Sequence, residues 1–160
     1  QGHDLLGLPG FRTYYGEWAV SGPNGFLIPV RNKDGLILGI KIRLDDETQP
    51  NRKYRGLSTR DMPDGTRSYS YVHLTGDTTK KRAYLTEGPL KGDVASFLAK
   101  DALFVCIGGV NAIHGLKDTI RDLSVTEVVE AMDMDQMTNP NVRKAVLAIR
   151  REIQSIRRLR

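Results

Sequence analysis

Acidic side chains directly follow two predicted strands in the second half of the chain. Glu87 comes after the strand predicted for residues 82–86, and Asp133 and Asp135 come after the strand predicted for residues 125–132. Ligands of open α/β sheets bind at the carboxyl ends of the strands, so these carboxylates are expected at one edge of the sheet. Carboxylates that meet there repel one another unless a cation joins them, and oxygen ligands select a hard ion, Mg²⁺ or Mn²⁺. The alternative is that each acid is an ordinary surface residue at a strand end.

Two glycines and a lysine near the same predicted edge are candidates for contacts with phosphate. Gly108 and Gly109 follow a predicted strand, and their backbone permits a phosphate to approach the start of the next helix. A glycine pair also serves simply to turn the chain from strand to helix. Lys91 follows Glu87 closely enough to reach a phosphate at this edge, and the alternative is a solvated helix lysine.

The elements that position these residues are predicted from apolar segments that alternate after residue 82. Strands at 82–86, 103–107 and 125–132 alternate with helices, which implies a parallel sheet with right-handed crossovers. Pro89 suits the first turn of the first helix, and Asn139 and Pro140 suit the start of the long last helix. The first helix has an apolar stripe that is expected to be buried, Leu90, Val94, Phe97 and Leu98. The last helix has another, Val142, Val146, Ile149, Ile153 and Ile156.

The first half of the chain is predicted to be a small β-rich subdomain. Strands are expected at 25–30, 36–44 and 68–74, with a hairpin turn at 31–35 in which Asp34-Gly35 supplies the positive φ. Residues 45–67 are polar and are expected to form a surface loop. The predicted domains are therefore 4–81 and 82–160, the second ending in a long helix, while residues 1–3 have the character of a tag remnant.

Composition limits the class of protein. The chain has 160 residues and a formal net charge of +5, which favours polyanionic partners. Its single cysteine, Cys106, excludes an internal disulfide and a cysteine zinc cluster, lies in an apolar run that predicts burial, and fits a reducing cytoplasm. No apolar run approaches the roughly 20 residues that span a bilayer, so no membrane partner is expected.

Three segments together resemble the motifs of the Toprim domain, which bacterial DnaG-type primases, topoisomerases, OLD-type nucleases and RecR-type repair proteins share. They are residues 84–88 (YLTEG), 107–109 (IGG) and 131–135 (AMDMD). The resemblance implies that Glu87 is the acid of the first motif and that Asp133 and Asp135 are the metal-binding Asp-x-Asp. It also implies a Rossmann-like α/β fold, in which a parallel sheet has helices on both faces.

The preceding part of the chain resembles the segment before Toprim in DnaG-type primase cores and in primase-like proteins of phages, plasmids and conjugative elements. The similar stretches are 25–30 (GFLIPV), 38–43 (LGIKIR) and 53–54 (KY), and the whole resemblance covers roughly residues 24–147. It implies that Arg43 and Lys53 line a basic face near the metals, where template and nucleotides lie.

Three functions follow from the resemblance and stay open. The first is a Mg²⁺- or Mn²⁺-dependent, primase-like nucleotidyltransferase core of a larger replication or mobile-element protein. The others are a non-catalytic DNA-binding Toprim module and a Toprim nuclease. Residues 136–138 (QMT) and 55–56 (RG) depart from the primase pattern, and the altered residues after Asp135 keep the binding module open. The implied partners are single-stranded DNA, nucleotides and further domains of the parent protein, with a helicase as one candidate.

Overall fold

The computed structural model describes residues 3–45, 53–109, 113–133 and 138–157, without the side chains of residues 156 and 157. Within these ranges the chain forms nine strands and three helices. Contacts divide it into two compact units, one comprising Gln1–Pro29 and Ile37–Ser70, the other Val30–Leu36 and Tyr71–Arg160. The predicted domains 4–81 and 82–160 stay predictions, because compactness alone does not define a domain that folds independently.

The first unit is built from short strands. They are β1 (Phe11–Tyr14), β2 (Glu17–Val20), β3 (Gly25–Arg31, which runs into the second unit), β4 (Ile37–Leu44) and β5 (Tyr54–Gly56). β1 and β2 form an antiparallel pair, and β3, β4 and β5 form a three-stranded sheet in that order. Ile28, Ile42 and Leu57 are almost completely buried and supply the core of this unit.

The predicted hairpin turn between β3 and β4 is confirmed. The N–H of Asn32 donates to the carbonyl of Leu36 at 3.0 Å, and the N–H of Gly35 donates to the carbonyl of Asn32 at 3.1 Å. Oδ1 of Asn32 accepts further bonds from the N–H groups of Asp34 and Leu36. Gly35 has a φ of 78°, the left-handed value expected of an Asp-Gly turn.

The predicted surface loop of residues 45–67 contains a strand that the prediction missed. Strand β5 pairs antiparallel with β4, so that Tyr54 lies opposite Arg43 and Gly56 lies opposite Lys41. It is three residues long and all of them are exposed. A segment this short has no apolar alternation, so only its pairing with β4 identifies it as a strand.

The second unit contains a four-stranded mixed sheet. Its strands are β6 (His73–Gly76), β7 (Arg82–Glu87), β8 (Leu103–Ile107) and β9 (Glu127–Glu130), in the order β6-β8-β7-β9. As predicted, β7, β8 and β9 are parallel to one another, whereas β6 is antiparallel to β8. The mixed α/β class is therefore confirmed, but the sheet is not wholly parallel. The strand predicted at 68–74 begins later and joins β8 as this antiparallel edge.

Helices cover both faces of this sheet, as predicted. They are α1 (Pro89–Ala99), α2 (Leu116–Asp122) and α3 (Pro140–Arg157). Successive residues of a strand point to opposite faces. In β8, Val105 belongs to a core that includes Ile120 of α2 and Ile149 of α3, whereas Cys106 faces Gly92 of α1.

The prediction that the apolar stripe forms the buried face of α1 is wrong. Val94, Phe97 and Leu98 are 53%, 81% and 73% exposed. The helix instead approaches the sheet through Gly92, where a Cβ atom would overlap Sγ of Cys106. Because a glycine permits the closest approach of helix and strand, its position sets which face of α1 is buried, and apolar periodicity does not.

The last helix follows its prediction. Oδ1 of Asn139 accepts from the N–H of Asn141 at 3.0 Å, which is the expected cap, and Val146 and Ile149 are each 1% exposed. Ile153 packs against the same core, while the side chain of Ile156 lies outside the described residues. Within the described ranges, none of the helices combines the length and the apolar composition that crossing a bilayer requires.

Candidate metal and phosphate site

Two of the three predicted acids lie at the carboxyl ends of adjacent parallel strands. Glu87 is the last residue of β7, and Asp133 lies three residues after the end of β9. Leu85 of β7 lies opposite Glu130 of β9, and the N–H of Ala131 donates to the carbonyl of Leu85 at 2.8 Å. Glu87 and Asp133 therefore both lie at the carboxyl ends of these two parallel strands. Asp135 lies outside the described residues.

An ion pair joins the start of α1 to the segment after β9. Nζ of Lys91 contacts Oδ2 of Asp133. The two side chains are 51% and 48% exposed, so water and ions have access to the pair. Lys91 therefore lies at the predicted edge, where its ammonium forms an ion pair with one of the predicted acids.

The glycines at this edge shape the backbone around the carboxyl ends of the strands. The N–H of Gly88 donates to the carbonyl of Ile107 at 2.8 Å, which ties the start of α1 to the end of β8. Gly88 has a φ of 82° and Gly109 a φ of 149°, and a Cβ atom on either would meet nothing within 4 Å. The space in front of both glycines is therefore open, and Gly108 lies beside it, partly exposed.

The donor set at this edge fits a hard cation. Glu87 and Asp133 offer only carboxylate oxygens, the ligands that Mg²⁺ and Mn²⁺ prefer. Among the described residues no three His, Cys, Asp or Glu side chains are grouped closely enough to hold a metal ion. Since Asp135 is not one of those residues, the predicted three-carboxylate site is left untested.

The predicted basic residues lie in the first unit, on β4 and just before β5. Arg43 is exposed and lies opposite Tyr54, whose side chain is 49% exposed. Lys53 is also exposed, and its carbonyl accepts a 2.9 Å bond from the N–H of Leu44. Partners across an antiparallel ladder project to the same side, so Arg43 and Tyr54 share a face of this ladder. A cation beside an accessible aromatic ring suits a strand of nucleic acid, in which phosphates and bases alternate.

A buried polar cluster in the second unit was missed by sequence reasoning. His73 of β6 is 0% exposed, and its Nδ1 accepts the N–H of Arg31 at 2.9 Å. Nε2 therefore carries the proton and donates to Oδ1 of Asp93 in α1 at 3.0 Å. Burial lowers the pKa of His73, although the Asp93 carboxylate opposes this effect. The only sequence signal was a histidine between apolar residues, which also fits an exposed strand position.

A cavity of about 590 Å³ lies at the opposite end of the same strands. Lys80, Arg82 and Tyr84 are among the residues that line it. Arg82 is paired with Glu127 at 2.7 Å, and Lys80 contacts Asp77 at 3.6 Å. Part of the positive charge that lines this cavity is thus already balanced by carboxylates.

Comparison of the sequence with models of known protein families gave no match, and comparison with curated proteins gave no significant match.

Proposed function

We propose that this chain is a Toprim-type, Mg²⁺- or Mn²⁺-dependent domain that handles nucleic acids, and that it acts as a primase-like nucleotidyltransferase core. The observation that carries the proposal is the parallel register of β7 and β9, which brings Glu87 and Asp133 to one edge of the sheet. Asp-x-Asp spacing adds Asp135 to the same segment. A fold of this type supports many activities, so the proposal depends on these side chains and not on the fold.

In the proposed function, the acidic residues bind the metal and the basic residues bind phosphates. Glu87, Asp133 and Asp135 would hold the metal, which supplies activation of the attacking 3′-hydroxyl and charge neutralisation at the phosphates. Lys91, at the start of α1, would contact a nucleotide phosphate near Gly108 and Gly109, where the backbone leaves room. Arg43 and Lys53 would hold the phosphates of single-stranded DNA, with arginine able to bind two oxygens at once.

A titration with Mn²⁺ tests the metal site. Wild type should bind Mn²⁺, and Asp133→Ala, Asp135→Ala and Glu87→Gln should each weaken that binding strongly, because each removes an anionic ligand. Asp118→Asn is the matched control, since Asp118 is an exposed carboxylate in α2. Equal Mn²⁺ affinity in wild type and in the three site variants would overturn the proposal.

A ribonucleotide-incorporation assay on single-stranded DNA, with and without Mn²⁺, tests the activity. Metal-dependent synthesis that Asp133→Ala abolishes supports the nucleotidyltransferase. Metal-dependent loss of the DNA strand would instead identify a nuclease.

The second candidate, a non-catalytic DNA-binding module, is favoured by one observation. The carboxylate of Asp133 is already paired with the ammonium of Lys91. A fixed ion pair would remove this ligand from a metal, and the domain would then position DNA without chemistry. Salt-sensitive DNA binding with no response to Mn²⁺, and no synthesis, would support this candidate.

A further inference from the structure

Lys91 occupies a position that its own helix does not favour. It is the third residue of α1, and the amino end of a helix carries partial positive charge that repels a cation. The first turn of α1 contains no acidic residue to compensate. Asp133, which comes from the chain after β9, contacts this ammonium and neutralises its charge.

The same carboxylate is one of the proposed metal ligands. A divalent ion at Asp133 and the ammonium of Lys91 would lie close together and repel each other, so they compete for this acid. The pair is half exposed, and lysine carries its charge on a flexible four-carbon stem. The ammonium is thus able to leave Asp133 without a change in the fold.

We infer that Lys91 is the resting counter-ion of Asp133, that a divalent metal displaces it, and that the released ammonium then contacts phosphate at the same edge. The inference rests on the proposed metal site. It makes metal and phosphate binding cooperative, because the metal both recruits phosphate itself and frees a cation for it. It also reconciles the ion pair with a metal-dependent activity.

Calorimetric titration of Mn²⁺ into Lys91→Met tests the displacement. Metal no longer has to break the ion pair, so the variant should bind Mn²⁺ about two- to fivefold more tightly than wild type, the range expected of an exposed pair. Lys91→Arg keeps the charge and should bind much as wild type does. Lys100→Met removes a lysine from the other end of the helix and is the matched control. Circular dichroism establishes that each variant is folded.

Anisotropy of a labelled oligothymidylate, with and without Mn²⁺ at constant ionic strength, tests the second step. The gain in DNA affinity on adding Mn²⁺ should be about two- to fivefold smaller in Lys91→Met than in wild type, because no ammonium is released. Equal or weaker Mn²⁺ affinity in Lys91→Met, or an equal gain in DNA affinity, overturns the inference and leaves the proposed function standing. Absence of Mn²⁺ binding in wild type overturns the proposed function itself.

Discussion

The fully buried imidazole of His73 donates from Nε2 to Oδ1 of Asp93 across a distance of 3.0 Å. This contact joins β6 to α1 and fixes the neutral tautomer, since Nδ1 accepts the N–H of Arg31. Burial lowers the pKa of His73 from 6.5, because the charged form loses its hydration in the folded state.

Stability should therefore fall as the solution is acidified. The unfolded chain takes up the histidine proton near pH 6.5, whereas the folded chain takes it up at a lower pH, so below 6.5 protons favour the unfolded state. The contribution of His73 to the free energy of unfolding should be constant above pH 7. Below pH 6.5 the free energy of unfolding should decrease by at most about 1.4 kcal/mol per pH unit. Urea denaturation at about pH 7.5 and 5.5 measures it.

The matched variants are His73→Gln and His114→Gln. The first removes the buried imidazole and should lose most of the pH dependence, in addition to being less stable. The second replaces an exposed histidine, so this variant should keep the pH dependence of wild type. If both variants respond to pH as wild type does, His73 is not the group responsible.

Gly92 should resist substitution, although it lies inside a helix. Alanine normally stabilises a helix interior relative to glycine, by about 1 kcal/mol. Here the added methyl group would overlap Sγ of Cys106, so Gly92→Ala should instead destabilise the protein by about 1–3 kcal/mol. Thermal and urea unfolding measure the change. The pair Gly92→Ala with Cys106→Ala should recover part of the loss, and a stabilised single variant would mean that α1 does not approach β8 this closely.

Sequence reasoning succeeded where a local pattern and the fold agree. The apolar run Leu103–Ile107 is β8, with all five residues buried, and the Asn139 cap starts α3 as expected. It failed where the outcome depends on partners distant in the chain. The buried face of α1 is set by Gly92 against Cys106, and β5 exists only through its pairing with β4.

The candidate site was predictable only where its residues follow local patterns in the sequence. Strand ends gave the positions of Glu87 and Asp133, since parallel strands bring their carboxyl ends to one edge. The contact between Lys91 and Asp133 required the position of α1 relative to the segment after β9, which no sequence spacing contains. The proposed ligand Asp135 stays a prediction.

Arg43 and Lys53 should contribute to DNA binding through phosphates. Arg43→Ala and Lys53→Ala should each weaken single-stranded DNA binding and lower the salt slope by about 0.7 per lost contact. Titrations over a range of salt concentrations measure both quantities. Arg60→Ala is the control, because its guanidinium is already paired with Asp61 at 3.0 Å. Unchanged affinity and slope in both variants would place the basic face elsewhere.

The last helix should matter for stability more than for DNA. Truncation after Ala148 removes Ile149, which is 1% exposed in the core, so the melting temperature should fall while the DNA affinity of the folded fraction stays nearly unchanged. Ile149→Ala should lower the free energy of unfolding by about 2–5 kcal/mol. Among the helix arginines, Arg150 binds Glu130 through two nitrogens at 2.7 and 2.9 Å. A large loss of DNA affinity with unchanged melting would show that the arginines form a binding surface.

The order of the second sheet has a consequence for self-association. β9 is its last strand, and a terminal strand offers backbone groups to which another chain can add. This strand is only four residues long, and its two ends are glutamates, Glu127 and Glu130, bound to Arg82 and Arg150. A second copy would have to disturb these charged ends to extend the sheet. We therefore expect the outer side of β9 to resist the addition of a strand from a second copy at high protein concentration.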